Sequence, residues 1–480
     1  MNDRKGFGSN FGFLMAAVGS AVGLGNIWGF PNKMGANGGF PFLILYLALA
    51  LCCGVIIMLG ELALGRKTGH GAVGAYQSIS KRFKWLGWLG IAAAALIFSF
   101  YSALGGYCLR YVVVNFGNLI GAEFGTNGVG GADVFQGLLS QPDVSIAFAL
   151  AFMLITMLVV MSGVGGGIER VCSVGMPALF FILIICIIRS CTLPGAADGL
   201  KYMFVPGWAV ANGIIDEAPG FWRVLTAAGG QMFFSLSLGA GVMITYGSYL
   251  DKKQDLGKSA MIIVGMDTVV ALMAGLCVIP GRFALDPNGA LGGPELLFIT
   301  MQNVFDKMGP AGPVFGILFY LLVFFAAISS SISLLEVIVA HFCDKAREKG
   351  KGDRRKLYSA IAVVISAALC ALVCADGMGS NHISPAELLG LAGAKLPGWS
   401  TSWLGLFDSV AEGLLMPLGA LLMCLMISWE LKPDALRQEI LLNGENRPWV
   451  YDFFRLCVKY ITPLCMLMIL YGQISDFFIA

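Results

Sequence analysis

The chain has 480 residues, 57% of them hydrophobic and only 12% charged, with a net charge of +2 and a mean hydropathy of +0.79. This composition excludes a soluble globular protein and implies a polytopic membrane protein, with the lipid bilayer as its first partner. A near-neutral charge with no basic run interleaved with aromatics argues against nucleic acid.

Stretches of about 18 or more mostly apolar residues, enough to cross roughly 30 Å of hydrocarbon as helix, recur along the chain. About eleven are counted, beginning near residues 11, 40, 88, 144, 170, 222, 259, 312, 357, 405 and 456. The short alternating segments of a membrane barrel are absent, so the predicted fold class is an all-α integral membrane protein. The first segment follows "MNDRK" without a small-residue cleavage site and is read as retained, not as a signal peptide.

Inside that segment, "GSAVGLGNIWGFP" (Gly19 to Pro31) combines helix-breaking residues with membrane-level hydrophobicity. The sixth segment carries a second glycine-interrupted stretch, "SLSLGAGVMITYGSY" (Ser235 to Tyr249). Each would lead a five-helix half, and an odd number of helices in the first half makes the halves inverted. The expected organisation is one transporter domain over 1–480. Its inverted repeats would cover roughly 8–192 and 220–430, with an additional carboxyl-terminal helix at roughly 448–476. Paired interruptions point to a site at the membrane midplane, where unwound backbone frees carbonyls for a cation and amides for an anion. The plainer alternative is close helix packing through small residues. "GLGNIWG" is no dinucleotide fingerprint, because no strand precedes it.

Lys and Arg concentrate at the amino terminus and in alternate loops such as "DKKQDLGK" and "DKAREKGKGDRRK". That bias puts the amino terminus in the cytoplasm and, after eleven crossings, the carboxyl terminus outside a cell's inner (plasma) membrane. Two longer outer loops, near 195–220 and 282–310, are expected to cap a cavity. The 13 cysteines lie mostly in apolar segments without metal-site spacing, which fits packing and no disulfide framework. Asp267 is an acid within an otherwise apolar helix, a functional-site hypothesis by default. Glu61 and Glu336 are likewise intramembrane acids. The run Ser329 to Ser331 reads by itself as hydroxyls bonded back to their own helix. None of the three histidines, His70, His341 and His382, is paired with an acid at motif spacing. A membrane-embedded enzyme is therefore set aside, and no organic cofactor is expected.

The stretches "GSAVGLGNIWGFP", "NGGFPFLILYLALALCCGVIIMLGELALGR", "GGQMFFSLSLGAGVMITYGSYL", "IIRSCTLPGAADGLKYMFVP" and "FFAAISSSISLLEVIVAHFCD" resemble, in this order and nearly end to end, the neurotransmitter:sodium symporters, above all their bacterial amino-acid members. The resemblance implies a LeuT-like 5+5 inverted repeat with unwound first and sixth helices. It implies sodium-driven uptake of an amino acid by alternating access, with two sodium ions. For the first ion it implies Ala21, Asn26, Ser235 and Asp267, completed by the substrate carboxylate. For the second it implies the carbonyls of Gly19, Val22 and Ala326 and the hydroxyls of Ser329 and Ser330. Oxygen donors of this kind suit a hard cation.

By the same resemblance, amides near Gly23 and Gly25 and the Tyr101 hydroxyl would hold the substrate carboxylate, close to Ala21 and Ser235. Ile97, Phe234, Ser237, Ala240, Ser330 and Leu334 would meet its side chain. Gly23 stands where amine-transporting relatives carry an aspartate, which favours an amino acid. Ala240 is small where several relatives have an aromatic, which favours a large apolar or aromatic side chain. Asp267 stands where some members have an amide and bind chloride, so chloride-independent transport is expected. The inner gate would use Arg4 and Asp344, with Phe7 and Tyr249 in the same closure. At the outer gate the family's arginine is replaced by Gly29, its former partner aligns near Asp408, and the lid would rest on Tyr101 and Phe234. A substrate-gated channel or sensor on this scaffold, or a proton-coupled transporter, are the alternatives that sodium-driven accumulation would separate. The particular amino acid, the stoichiometry and the oligomeric state are left open.

Overall fold

The computed structural model describes residues 6–390, 398–431, 434–441 and 448–478, and among these it is helical with no strand. Nine of the described helices are long and apolar enough to span a bilayer unbroken, from Phe40–Thr68 to Pro448–Ser475. A tenth crossing is the pair Asn10–Ala21 and Gly25–Ala36, bent by 44°. The sixth predicted segment is also divided, into Phe221–Leu236 and Val242–Gly247.

Local sequence explains the helix ends. Ser9 caps the first helix by accepting the Gly12 N–H at 2.9 Å, and Asp255 caps the seventh segment, Leu256–Leu285, by accepting the Lys258 N–H at 3.0 Å. Pro177 and Pro280 sit inside the fifth and seventh segments, where packing in the membrane tolerates them. The outward faces carry apolar side chains such as Val174, Phe181 and Val364, at home against lipid. The divided first and sixth segments are instead enclosed, and Phe13, Leu24, Phe233 and Leu236 are fully buried. The two stretches expected to be loops are partly helical, with Ala196–Phe204 in one and Met301–Asp306 in the other.

The first break is narrower than the glycine-rich stretch Gly19 to Pro31. Helix runs through Gly19 to Ala21, Val22 turns extended (φ −76°, ψ 95°), and a π turn takes over at Gly25–Gly29. The second break spans Ser237 to Gly241, with Ser237, Gly239 and Gly241 at φ of +53°, +80° and +75°.

Candidate functional site

The two breaks face each other. Between them Ala21, Gly23, Gly25, Ile97, Tyr101, Phe234, Ser237, Ala240, Ser330 and Leu334 line one small cavity of about 20 Å³, room for a water-sized molecule. Ser20 and Met416 also line it and were missed by sequence reasoning. The Leu24 N–H donates to the Tyr101 hydroxyl at 2.7 Å, so the third segment supports the unwound stretch directly. Tyr101 and Phe234 close the cavity with ring centroids 6.3 Å apart. A Cβ on Gly23 would stand 2.2 Å from Ser330 Oγ and 2.4 Å from Tyr101 Oη, so only glycine leaves this space open.

Ser235 lies behind this wall, beside Asp267. The Asp267 carboxylate is fully buried and accepts from Asn26 Nδ2 at 2.7 Å and from the Tyr46 hydroxyl at 3.1 Å. Ser235 Oγ lies 3.0 Å from each of its oxygens. Asn26 also accepts the Gly23 N–H at 3.0 Å, which ties the first break to the seventh segment. The partners of this carboxylate are thus an amide, a hydroxyl and a phenol, all neutral. A buried carboxylate among neutral donors is chemistry that could hold a hard cation. Tyr46 carried no signal inside its apolar run. Gln231, whose Nε2 donates to the Gly25 carbonyl at 2.6 Å, could have been found as a polar residue in a membrane helix.

The second predicted cluster also assembles. Ser329 Oγ lies 3.5 Å from the Val22 carbonyl and 3.0 Å from that of Ala326. Ser330 Oγ donates to the carbonyls of Ser20 and Gly19 at 3.0 and 3.3 Å. Among the described residues, the Ser20 hydroxyl in the same neighbourhood is buried without a hydrogen-bond partner. These serines therefore reach across to the first segment, in addition to the bonds Ser329 makes within its own helix.

Near the start of the first segment, Phe7 packs edge-on against Phe13, Tyr246 and Tyr249. The Tyr249 hydroxyl donates to Glu336 at 2.6 Å, and Arg355 grips the same carboxylate at 2.6 and 3.0 Å. Asp344 accepts the Gly71 N–H at 3.1 Å and lies 3.9 Å from Arg347. Arg4 lies outside the described residues. Glu169 accepts from Gly8 N at 2.7 Å and Ser9 Oγ at 2.8 Å, a contact at the same end not anticipated from sequence. Glu61 accepts the Gly239 N–H at 2.7 Å and so holds the second break. At the other end, the space beside Gly29 is taken by Gln231, whose Oε1 would lie 2.9 Å from a Cβ there. The ion pair on that side joins Lys33 to Glu412, not to Asp408.

Known proteins match the chain along most of its length. Residues 4–127 and 132–478 match the model of the sodium:neurotransmitter symporter family. An uncharacterized sodium-dependent transporter of Bacillus subtilis is 36% identical over 477 residues, covering 97% of each chain. A sodium-dependent nutrient amino acid transporter of Drosophila erecta is 26% identical, covering 80% of this chain and 66% of its own. The crystal structure of MhsT in complex with L-phenylalanine superposes with a TM-score of 0.83 at 34% identity, covering 98% of this chain and all of that one. The fold is thus LeuT-like and the protein a transporter, not an enzyme. By its matched length, its two facing helix breaks and these relatives, the chain belongs to the sodium:neurotransmitter symporter family.

Proposed function

We propose that this transporter is a sodium-coupled symporter of an amino acid with a large apolar or aromatic side chain, working by alternating access around the cavity between the two breaks. The observation that carries the reading is Asp267: a fully buried carboxylate held by neutral donors beside the unwound first segment. Such a charge is costly in a membrane interior unless a cation joins it. Asn26, Ser235, Asp267 and the Ala21 carbonyl would hold one sodium ion. The carbonyls of Gly19, Val22 and Ala326, with Ser329 and Ser330, would hold a second. Substrate carboxylate would complete the first shell, so ion and substrate each raise the affinity for the other.

Gly23, Gly25 and Tyr101 would receive that carboxylate, and Ile97, Phe234, Ser237, Ala240 and Leu334 the side chain. The small Ala240 supports a bulky substrate, as does the L-phenylalanine bound by the related MhsT. The cavity of about 20 Å³ is too small for such a side chain, so binding requires its walls to part. The repeats at roughly 8–192 and 220–430 would rock against each other, with the amino terminus cytoplasmic, in a cell's inner membrane. Arg4, Asp344 and Tyr249 would close the inner side.

Purified protein in liposomes, given an inward sodium gradient, tests this by uptake in competition with each of the twenty amino acids. Large apolar or aromatic competitors are expected to inhibit best. Strongest inhibition by glycine or alanine overturns the substrate class, and equilibration without accumulation identifies a channel. With a fixed Asp267 charge, replacing chloride by gluconate is expected to leave uptake unchanged, and a large loss refutes chloride independence.

A further inference from the structure

The outer half of the first segment presents a gap and, one turn away, a charge. Gly29 has no side chain, and the space a Cβ would occupy is filled by Gln231, whose Nε2 is held at 2.6 Å by the Gly25 carbonyl. A long cation at 29 would have to displace that amide. Lys33 lies four residues further out on the same helix, about one turn. Its ammonium pairs with the Glu412 carboxylate of the tenth segment, with side chains only 24% and 8% exposed.

The place where they meet is set by a third element. A Cβ on Gly230, in the outer half of the sixth segment, would lie 2.8 Å from both Glu412 Oε1 and Gln473 Nε2 and 3.6 Å from Lys33 Nζ, so the pair rests close against bare backbone with the carboxyl-terminal helix beside it. Gly230 precedes Phe234 by four residues, and Phe234 with Tyr101 roofs the cavity. Glu412 in turn precedes the cavity-lining Met416 by four. The ion pair therefore stands one turn above the roof, where the first, sixth and tenth segments converge. Asp408, a further turn out, has its carboxyl against that of Glu412 and within the field of Lys33. On its other flank this half-helix is fixed to the loop after the seventh segment, through Gly293 N to Asn32 Oδ1 at 2.6 Å and Trp28 Nε1 to Gly293 O at 3.3 Å. The flank toward the tenth segment is the one that an opening movement would part.

We infer that Lys33 and Glu412 form the external latch of this transporter, with Lys33 supplying from one turn further out the cation that position 29 cannot hold. The inference rests on the alternating-access reading above. Breaking the pair removes a partly buried charge partner, which acts mainly on the rate of release. Lys33→Met and Glu412→Gln should each speed outward dissociation of an occluded amino acid by about tenfold. Sodium affinity, set at Asp267, should change little. The exchange Lys33→Glu with Glu412→Lys should restore the rate, and Lys33→Arg should keep it near wild type.

The experiment loads purified protein with each of the twenty radiolabelled amino acids in sodium and follows release after dilution. Lys201→Met, which breaks the exposed pair with Asp198, serves as the control that changes nothing. Wild-type release rates in both single variants overturn the latch. So does faster release in the singles that the charge exchange leaves uncorrected. If the wild-type protein retains none of the twenty amino acids in sodium, the transport reading itself has failed, and the two outcomes cannot be confused.

Discussion

The two helix breaks use glycine for different physical purposes. In the second break Gly239 and Gly241 take positive φ, a backbone shape that side chains resist, and Ser237 takes the same region. In the first break none of the residues from Val22 to Leu24 has positive φ. There Gly23 matters because Ser330 and Tyr101 come within a Cβ's reach. The second break is a matter of conformation held by Glu61, and the first a matter of space held by Tyr101, Asn26 and Gln231. Stability should therefore register damage at one, and transport damage at the other.

Substitutions can break this contrast. Gly239→Ala faces both φ +80° and the Met416 carbonyl oxygen 2.2 Å from its Cβ, and neither is easily moved. It should cost about 3 kcal/mol of stability or more, read as a fall in melting temperature in detergent. Gly23→Ala meets the hydroxyl ends of Ser330 and Tyr101, with Ser330 Cβ at 3.0 Å, so side chains and not backbone must shift. It should lower uptake about a hundredfold by filling the cavity, while melting shifts by less than it does for Gly239→Ala. A melting loss at Gly23 equal to that at Gly239 removes the distinction. The smallest effect belongs to Gly29→Ala, which meets only the tip of Gln231 and should change stability by less than about 1 kcal/mol.

The existence and order of the crossing segments were legible because lipid demands long apolar runs. The two breaks were legible because glycine is out of place in them. The cavity residues became readable through long matching motifs, and the fold brings nearly all of them to one place. What escaped depends on contacts between distant parts of the chain. Tyr46 meets Asp267 across 221 positions, and nothing in its neighbourhood marks it. Met416 comes to the cavity from a different segment with no local sign.

The outer acid shows another limit. The resemblance aligned Asp408 with the partner of the missing arginine, whereas the pair seen in the fold joins Lys33 to Glu412. Both acids lie beside or within a π turn, Ser409–Leu415. Such a turn adds a residue and rotates the face that follows, so counting along a regular helix cannot choose between them. The lysine was invisible for a related reason. Its role follows from what Gln231 occupies beside Gly29.

The buried Asp267 carboxylate has a thermodynamic consequence beyond the transport role proposed for it. A protein that keeps a carboxylate among neutral partners in its interior is less stable when its counter-ion is scarce, so folding and ion concentration are linked. At a sodium concentration a hundred times the dissociation constant, the folded state should gain about 2.7 kcal/mol from one site. The melting temperature would then rise with the logarithm of sodium concentration, and potassium would be a poor substitute. Asp267→Asn should flatten that slope. The protein's heat resistance would thus report how much of its coupling ion is at hand.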